Sequence, residues 1–280
     1  MTERAGLGNE DIRRDERDGI LTLTFTRDRK LNAVTEGMLG TLRAAVADLR
    51  DRGDLRVLVI TAEGRYFTAG ADLTALPVGE TGPGTPGPVF RGAYRRLHEL
   101  FDEIEAIEKP VILAAQGPCL GIGVELGASC DFRFASGAAL FALPEVRNLA
   151  ALPGSGGISR LTRLVGPHWT KWLAMAGQQV SAAEALSIGL VHAVYPVDGF
   201  AARVEQFARD LVSQPEEALG LAKLVIDAAA NSDRTSARHV DRIANTVLVN
   251  SAEHRAKLAG FARRKPVAGA DPAVRKRPPS

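Results

Sequence analysis

The chain has 280 residues, of which 45% are hydrophobic and 24% charged. This length allows one large domain or two small ones, and the balance is that of a globular protein, which excludes disordered, collagen-like and coiled-coil classes. A total of 35 Lys and Arg against 33 Asp and Glu gives a net charge of +2, too small to indicate a nucleic-acid-binding surface.

The cysteines and the apolar runs further limit the class of protein. Cys119 and Cys130 are too few for a disulfide framework and too isolated for a zinc site. The longest apolar runs are far shorter than the roughly 20 residues that span a bilayer, and the N-terminus lacks the apolar stretch of a signal peptide. We therefore expect a soluble, cytoplasmic protein that binds neither membranes nor nucleic acid.

The first hundred residues alternate strand and helix signals. Ile20–Phe25 alternates apolar residues with Thr, which predicts a half-buried strand. Residues 35–49 have apolar side chains at helical spacing, with Thr35 as the N-cap. Val57–Ala62 is a continuous apolar run typical of a strand buried on both faces. Residues 77–88, rich in Gly and Pro, predict a mobile loop.

The middle of the chain continues the alternation. Residues 94–107 predict a helix that ends before Pro110, and Val111–Ala115 predicts a second buried strand. A short helix at 121–130 is followed by two short strands, at 132–135 and 140–143. Beyond residue 158 the pattern is helical almost throughout, and residues 266–280 predict a disordered tail. This order favours an α/β fold.

Two glycine-rich segments follow buried strands. Residues 65–73 form a small-residue turn whose backbone amides can approach a ligand; a tight turn without function is the alternative. In residues 116–127 a strand runs through glycines into a short helix. Free amides at such a helix start bind an anion or a developing oxyanion.

Two glutamates stand out near these segments. Glu125 lies in the first turn of the short apolar helix, and Glu145 directly follows a proline at the end of an apolar strand. Taken singly, either is equally a solvated residue, one at a helix start and the other at the start of a loop. If they share an apolar pocket, one pKa rises from about 4.3 toward neutrality. One carboxyl then donates a proton while the other accepts one.

A dinucleotide-binding motif is a rival interpretation of the same residues. Gly121, Gly123 and Gly127 fit a glycine fingerprint, and Glu145 lies where a ribose-binding acid would follow. The helix after Gly123 is barely two turns long, and two short strands follow it where a crossover to one parallel strand is required. The topology therefore disfavours this alternative.

At these residues the sequence resembles the crotonase superfamily, the enoyl-CoA hydratase/isomerase family, over about residues 12–265. The resemblance implies a spiral of ββα turns (12–200) that carries the CoA and acyl site, and a C-terminal helical trimerisation region (201–265). It also implies trimers or dimers of trimers. The matching motifs, in chain order, are Lys30-Leu-Asn-Ala33, Phe67-Thr-Ala-Gly-Ala-Asp72, Lys109-Pro-Val-Ile-Leu-Ala-Ala115, Gly121-Ile-Gly-Val-Glu125, Pro144-Glu145, Pro153-Gly-Ser-Gly-Gly157 and Phe261.

The resemblance also implies the parts of a site for an acyl-CoA thioester. The amides of Ala71 and Ile122 would form the oxyanion hole, and Ile122, where the family commonly has Gly, would narrow the pocket. No metal or redox cofactor is implied, because CoA is part of the substrate. The residues implied in substrate binding are Lys30, Leu31, Ala33, Ala69, Gly70, Asp72, Leu73 and Gly121, with Phe261 and Arg264 supplied by a neighbouring subunit. Lys265 is the alternative to Arg264.

Acidic residues at both family positions favour an enoyl-CoA hydratase, a carbon–oxygen lyase. Glu125 would act as the base toward water, and Glu145 as the acid that protonates the α-carbon. Residues 146–152 resemble an insertion relative to the family, which would tilt Glu145. An isomerase or lyase that uses one Glu, and a non-catalytic binding protein, remain the alternatives.

Overall fold

The computed structural model describes residues 10–74 and 87–263, and these form nine strands and ten helices. The strands are β1 (Ile12–Arg17), β2 (Ile20–Phe25), β3 (Val57–Ala62), β4 (Val111–Ala115), β5 (Cys119–Leu120), β6 (Phe132–Ser136), β7 (Leu140–Ala142), β8 (Gln179–Ser181) and β9 (Ala193–Tyr195). The helices are α1 (Glu36–Asp51), α2 (Gly87–Ala106), α3 (Ile122–Ser129), α4 (Glu145–Leu149), α5 (Gly157–Thr170), α6 (Ala182–Ser187), α7 (Phe200–Val212), α8 (Glu216–Asn231), α9 (Arg234–Val249) and α10 (Ala252–Arg263).

The larger sheet has the strand order β1-β2-β3-β4-β6-β9 and is parallel except for β1. Alternate residues of β3 point to opposite faces, as the two-residue period of a strand requires. Leu58 and Ile60 join one cluster of buried apolar side chains, whereas Val57 and Val59 join another. Burial on both faces explains why β3 is apolar without a break.

A smaller sheet has the order β5-β7-β8, with β5 and β7 parallel. The chain passes repeatedly from a strand of the large sheet to one of the small sheet and then to a helix, as in β4-β5-α3 and β6-β7-α4. This winding is the predicted spiral of ββα turns. It brings the ends of β5 and β7, where α3 and α4 begin, to one edge of the small sheet.

The structure confirms the strands predicted for Ile20–Phe25, Val57–Ala62 and Val111–Ala115, and the short strand–helix pattern between residues 121 and 143. The expectation that the chain is almost entirely helical beyond residue 158 is wrong at β8 and β9, strands of three residues each. The predicted loop at 77–88 lies outside the described residues up to residue 86, and residues 87 and 88 begin α2. The predicted tail at 266–280 also lies outside them.

The N-cap of α1 is as predicted, since the Thr35 side chain accepts a hydrogen bond from the Met38 amide at 3.2 Å. We expect Thr35→Ala to lower the free energy of unfolding by about 1 kcal/mol, because that amide then loses its partner. Urea unfolding measures the change. Thr41→Ala, inside the same helix, is the control, and an equal loss there would contradict the capping argument.

The chain divides into two compact units, Met1–Leu224 and Val225–Ser280. The division lies within α8, and the boundary between residues 200 and 201 stays a prediction. Phe200, Val204 and Ala208 of α7 belong to a buried cluster with strand residues of the first unit. The second unit holds α9 and α10, and Asp233 caps α9 by accepting from the Thr235 and Ser236 amides. None of the described helices is long and apolar enough to cross a membrane.

Candidate active site

Two chain segments run side by side into the site. The Thr68 amide donates to the Pro118 carbonyl at 3.2 Å, and the Leu120 amide donates to the Thr68 carbonyl at 3.0 Å. Thr68 and Cys119 are thus parallel bridge partners, and Ala71 and Ile122 each lie three residues beyond them.

The amides of Ala71 and Ile122 donate no hydrogen bond to another described residue. Ile122 is the first residue of α3, where the helix dipole favours negative charge. Both amides are therefore available as donors, and the Ile122 amide lies at the start of this helix. The two residues predicted to form an oxyanion hole lie at equivalent positions of paired segments.

Gly121 is required where these segments meet. Its φ of 54° and ψ of −123° suit glycine, and a Cβ there would lie 2.6 Å from Glu145 Oε1. The same Cβ would lie 3.5 Å from Gly70 Cα. The absence of a side chain therefore lets the Glu145 carboxyl reach the start of α3.

We expect Gly121→Ala to lower the rate of the hydration that the sequence predicts about 10²-fold, because the added Cβ displaces the Glu145 carboxyl from its position. Steady-state kinetics measure the change. Gly40→Ala is the control: it lies inside α1 with no atom within 4 Å of the added Cβ. A Gly121→Ala enzyme as active as the Gly40→Ala enzyme would contradict the close approach seen here.

Glu125 is buried within α3, with 2% of its surface exposed. Its Oε2 accepts hydrogen bonds from the amides of Ser155 and Gly157, at 2.8 and 2.9 Å. Burial raises the pKa of Glu125, while these two hydrogen bonds oppose the rise by stabilising the carboxylate. The Glu125 carboxyl is therefore fixed in orientation by the backbone just before and at the start of α5.

Glu145 is the first residue of α4 and not, as the sequence alone allowed, the start of a surface loop. Its Oε2 is buried and has no hydrogen-bond partner among the described residues. Burial, with a smaller contribution from the charge of Glu125, raises the pKa of Glu145 to about 7. Near neutral pH a large fraction of this carboxyl is therefore protonated, whereas an ordinary exposed glutamate is ionised.

Both carboxyls face one pocket of about 290 Å³. The rest of its wall is mostly apolar, so water does not screen the two groups as it would at a surface. The lining residues are Ala71, Leu73, Tyr94, Leu97, Ile122, Glu125, Glu145, Leu149, Ala151, Leu152, Gly154 and Ser155. Burial and the charges of Glu125 and Glu145 raise the pKa of Tyr94.

The residues predicted for substrate binding at 30–33 and 69–73 belong to loops that pair with each other, and two of these residues line this pocket. Leu31 follows a 3-10 turn (Asp28–Lys30) in the left-handed conformation, and its carbonyl accepts from the Ala69 amide at 2.9 Å. Asp72 forms an ion pair with Arg27 at 2.9 Å. Of the predicted residues that the structure describes, only Ala71, Leu73, Ile122 and the two glutamates line the pocket itself.

The two residues predicted near the C-terminus belong to the second unit of the chain. Phe261 lies in α10 with 76% of its surface exposed, and Arg264 lies outside the described residues. Their contribution from a neighbouring subunit stays a prediction. Within residues 10–74 and 87–263, no group of three or more His, Cys, Asp or Glu side chains is placed to hold a metal ion.

Sequence reasoning missed several residues of the pocket. Tyr94 and Leu97 were assigned to the apolar face of a helix, and Leu149 and Leu152 to the inserted segment. Ser155 and Gly157 belong to the family motif at 153–157, but the sequence alone gives them no role. Glycines directly before α5 were a usable signal for these two, because unpaired amides at a helix start are natural partners for a buried carboxylate.

The fold is known from solved structures. The chain superposes on the crystal structure of an enoyl-CoA hydratase from Bacillus anthracis with a TM-score of 0.83 and 29% identity, covering 91% of this chain and 97% of that one. The two-sheet spiral with its C-terminal helices is therefore a crotonase fold.

The sequence comparisons agree with the fold. The sequence model of the enoyl-CoA hydratase/isomerase family matches residues 15–268. The chain is 30% identical to a short-chain-enoyl-CoA hydratase of Clostridium acetobutylicum, covering 91% of this chain and 95% of that one. It is 33% identical to a crotonyl-CoA hydratase of Syntrophomonas wolfei, covering 83% and 87% respectively. This chain belongs to the enoyl-CoA hydratase/isomerase family.

Proposed function

We propose that this enzyme adds water across the 2,3-double bond of a 2-enoyl-CoA to give a 3-hydroxyacyl-CoA. One observation carries the proposal: two carboxyls, the buried one of Glu125 and the half-buried one of Glu145, face the same mostly apolar pocket as the amide-bearing residues Ala71 and Ile122. The names of relatives that cover most of the chain, hydratases for enoyl-CoA and crotonyl-CoA, support it.

The reaction begins with polarisation of the thioester. Hydrogen bonds from the Ala71 and Ile122 amides to the thioester oxygen withdraw electrons from the double bond and make the β-carbon electrophilic. The same amides then stabilise the enolate oxygen, where the negative charge develops. Loss of one donor of this kind typically costs about 10²–10³ in rate.

The two glutamates then divide the proton transfers. Glu125, held as a carboxylate by the Ser155 and Gly157 amides, accepts a proton from water while the water oxygen bonds to the β-carbon. Glu145, with its pKa of about 7, delivers its proton to the α-carbon of the enolate. The products are the 3-hydroxyacyl thioester, a protonated Glu125 and an ionised Glu145. Return of the proton from Glu125 to Glu145 through solvent restores the enzyme.

Other parts of the account rest on the sequence resemblance. The chemistry above needs no metal or redox cofactor, and we infer that the enzyme uses none. Binding of the CoA moiety by the loops at 30–33 and 69–73, completion of the site by Phe261 and Arg264 of a neighbouring subunit, a trimeric or hexameric state and a cytoplasmic location all stay predictions.

The test is the loss of conjugated enoyl-thioester absorbance when the purified protein meets a panel of short, long and aromatic 2-enoyl-CoAs. We expect rapid loss with at least one of them and a 3-hydroxyacyl-CoA as the product. No loss across the panel would contradict hydration. Conversion of a 3-enoyl-CoA to a 2-enoyl-CoA without uptake of water would instead favour an isomerase that needs one glutamate.

A further inference from the structure

The orientation of Glu125 depends on a short loop whose own support lies outside the pocket. The Ser155 and Gly157 amides hold Glu125 Oε2. A Cβ on Gly157 would lie 2.5 Å from Glu125 Cγ, so backbone and carboxyl are in close contact. Gly156, which lies between Ser155 and Gly157, has a φ of 86°. Such a loop is not held by regular secondary structure and needs an anchor.

Arg160 supplies a contact to the other side of this loop. It lies in the first turn of α5 and its side chain is only 4% exposed. Its Nη1 donates to the Ser155 carbonyl at 2.8 Å. The same residue, Ser155, therefore accepts from Arg160 through its carbonyl and donates to Glu125 through its amide.

Carboxylates of α2 fix the Arg160 guanidinium in turn. Its Nη2 bonds to Asp102 Oδ1, and its Nε forms an ion pair with Glu105 Oε1 at 3.1 Å. One turn before Asp102 on α2, His98 Nε2 lies 2.8 Å from the Gly154 carbonyl oxygen. One face of α2 thus holds the loop directly and through Arg160.

A buried guanidinium group contributes little net free energy to the stability of a fold. Removing it from water is unfavourable unless its donors are paired, and apolar replacements of buried ion pairs are often neutral or stabilising. Its position next to Glu125 gives it a second effect, because a nearby positive charge favours the carboxylate and opposes the rise in the pKa of Glu125.

We propose that Arg160 is a positioning residue for the base: it holds Ser155 so that the loop amides face Glu125, and its charge keeps Glu125 ionised. This inference deepens the proposed function and rests on it. Arg160 on α5 is the charged group that opposes the raised pKa of Glu125. The charge of Glu125 in turn contributes to the raised pKa values of Tyr94 on α2 and Glu145 on α4. Among these described neighbours of Glu125, Arg160 is the one with a positive charge.

The test compares Arg160→Met and Arg160→Lys with the control Arg163→Met. Arg163 lies on the same helix and pairs with the same Glu105, at 3.4 Å, but its side chain is 55% exposed. We expect Arg160→Met to lower kcat about 10²-fold and to move the acidic limb of the pH profile to higher pH. Arg160→Lys keeps the charge but not the planar fork, so we expect a lower kcat with little shift of that limb. We expect Arg163→Met to change neither kcat nor the position of the acidic limb.

A second readout does not depend on turnover. The pKa of Glu125, followed by NMR in protein labelled with ¹³C-glutamate and assigned with Glu125→Gln, is expected to rise in Arg160→Met only. An unchanged kcat and an unchanged Glu125 pKa in a folded Arg160→Met protein would overturn the proposal, as would equal changes in Arg163→Met. If Arg160→Met does not fold, a wild-type kcat in Arg160→Lys overturns it. If the wild type hydrates no substrate, the proposed function fails and the Glu125 titration alone decides.

Discussion

Glu125→Gln is expected to lower the rate of hydration by about 10²–10⁴, the contribution of a well-placed general base. The amide has the shape of the carboxyl, and its oxygen still accepts from the Ser155 and Gly157 amides that hold Oε2 in the wild type. The pocket and the amides of Ala71 and Ile122 therefore stay in place. What is lost is the lone pair that takes a proton from water.

The measurement is kcat and KM for the best substrate of the panel. We expect the loss in kcat, with KM nearly unchanged, because the base acts on water and not on binding of the thioester. Glu99→Gln, which removes an exposed carboxylate from α2, is the matched control and should behave as the wild type. A Glu125→Gln enzyme within a few-fold of this control would contradict the assignment of the base.

Glu145→Gln is expected to lower the rate by a similar factor, about 10²–10⁴, because the enolate then lacks its proton donor. In the wild type, kcat/KM should fall as the pH rises through about 7, where Glu145 loses its proton. It should also fall at low pH, where Glu125 becomes protonated. A pH–rate profile with no basic limb near pH 7 would contradict the role of Glu145 as the acid.

The same pKa predicts an effect on stability. The pKa of Glu145 is about 7 in the folded protein against an ordinary value of 4.5, so the folded state binds more protons between these values. The contribution of Glu145 to the free energy of unfolding is therefore fully present below about pH 4.5, and it is lost as the pH rises through about 7. At pH 8, Glu145→Gln should be more stable than the wild type by about 1–2 kcal/mol, after allowance for solvent screening of a partly exposed group.

Urea unfolding at pH 5 and pH 8 measures this difference. We expect the gap between Glu145→Gln and the wild type to widen at the higher pH, while Glu99→Gln shows no such change. A gap that is the same at both values would mean that the Glu145 carboxyl is not held in the apolar surroundings described here. Lower activity with higher stability is the expected signature of a buried catalytic acid.

The sequence was informative wherever the hydrophobic pattern was regular. Continuous apolar runs identified β3 and β4, because strands buried on both faces need no polar residues. β1 was missed because it is an edge strand with a largely charged sequence, Ile12–Arg17. β8 and β9 were missed because three residues are too few to establish a two-residue period.

The two glutamates were identified as candidates because each follows small or constrained backbone at the end of a buried element. The residues that surround the two glutamates were not identified from the sequence, for a physical reason. The partners of Glu125 are backbone amides, which every residue carries, and the pairing of Arg160 with Asp102 links residues 58 positions apart. Only the packing of α2 against α5 brings these groups to one site, and no local pattern encodes it.

The most direct test of the central claim is the fate of water oxygen. The purified enzyme is incubated with its best 2-enoyl-CoA in H₂¹⁸O, and the product mass is compared with that from ordinary water and from the Glu125→Gln enzyme. We predict a 3-hydroxyacyl-CoA that carries one ¹⁸O at the hydroxyl group, formed far more slowly by the variant. An unlabelled product with a displaced double bond, or a labelled product formed equally fast by Glu125→Gln, would contradict hydration by the glutamate pair.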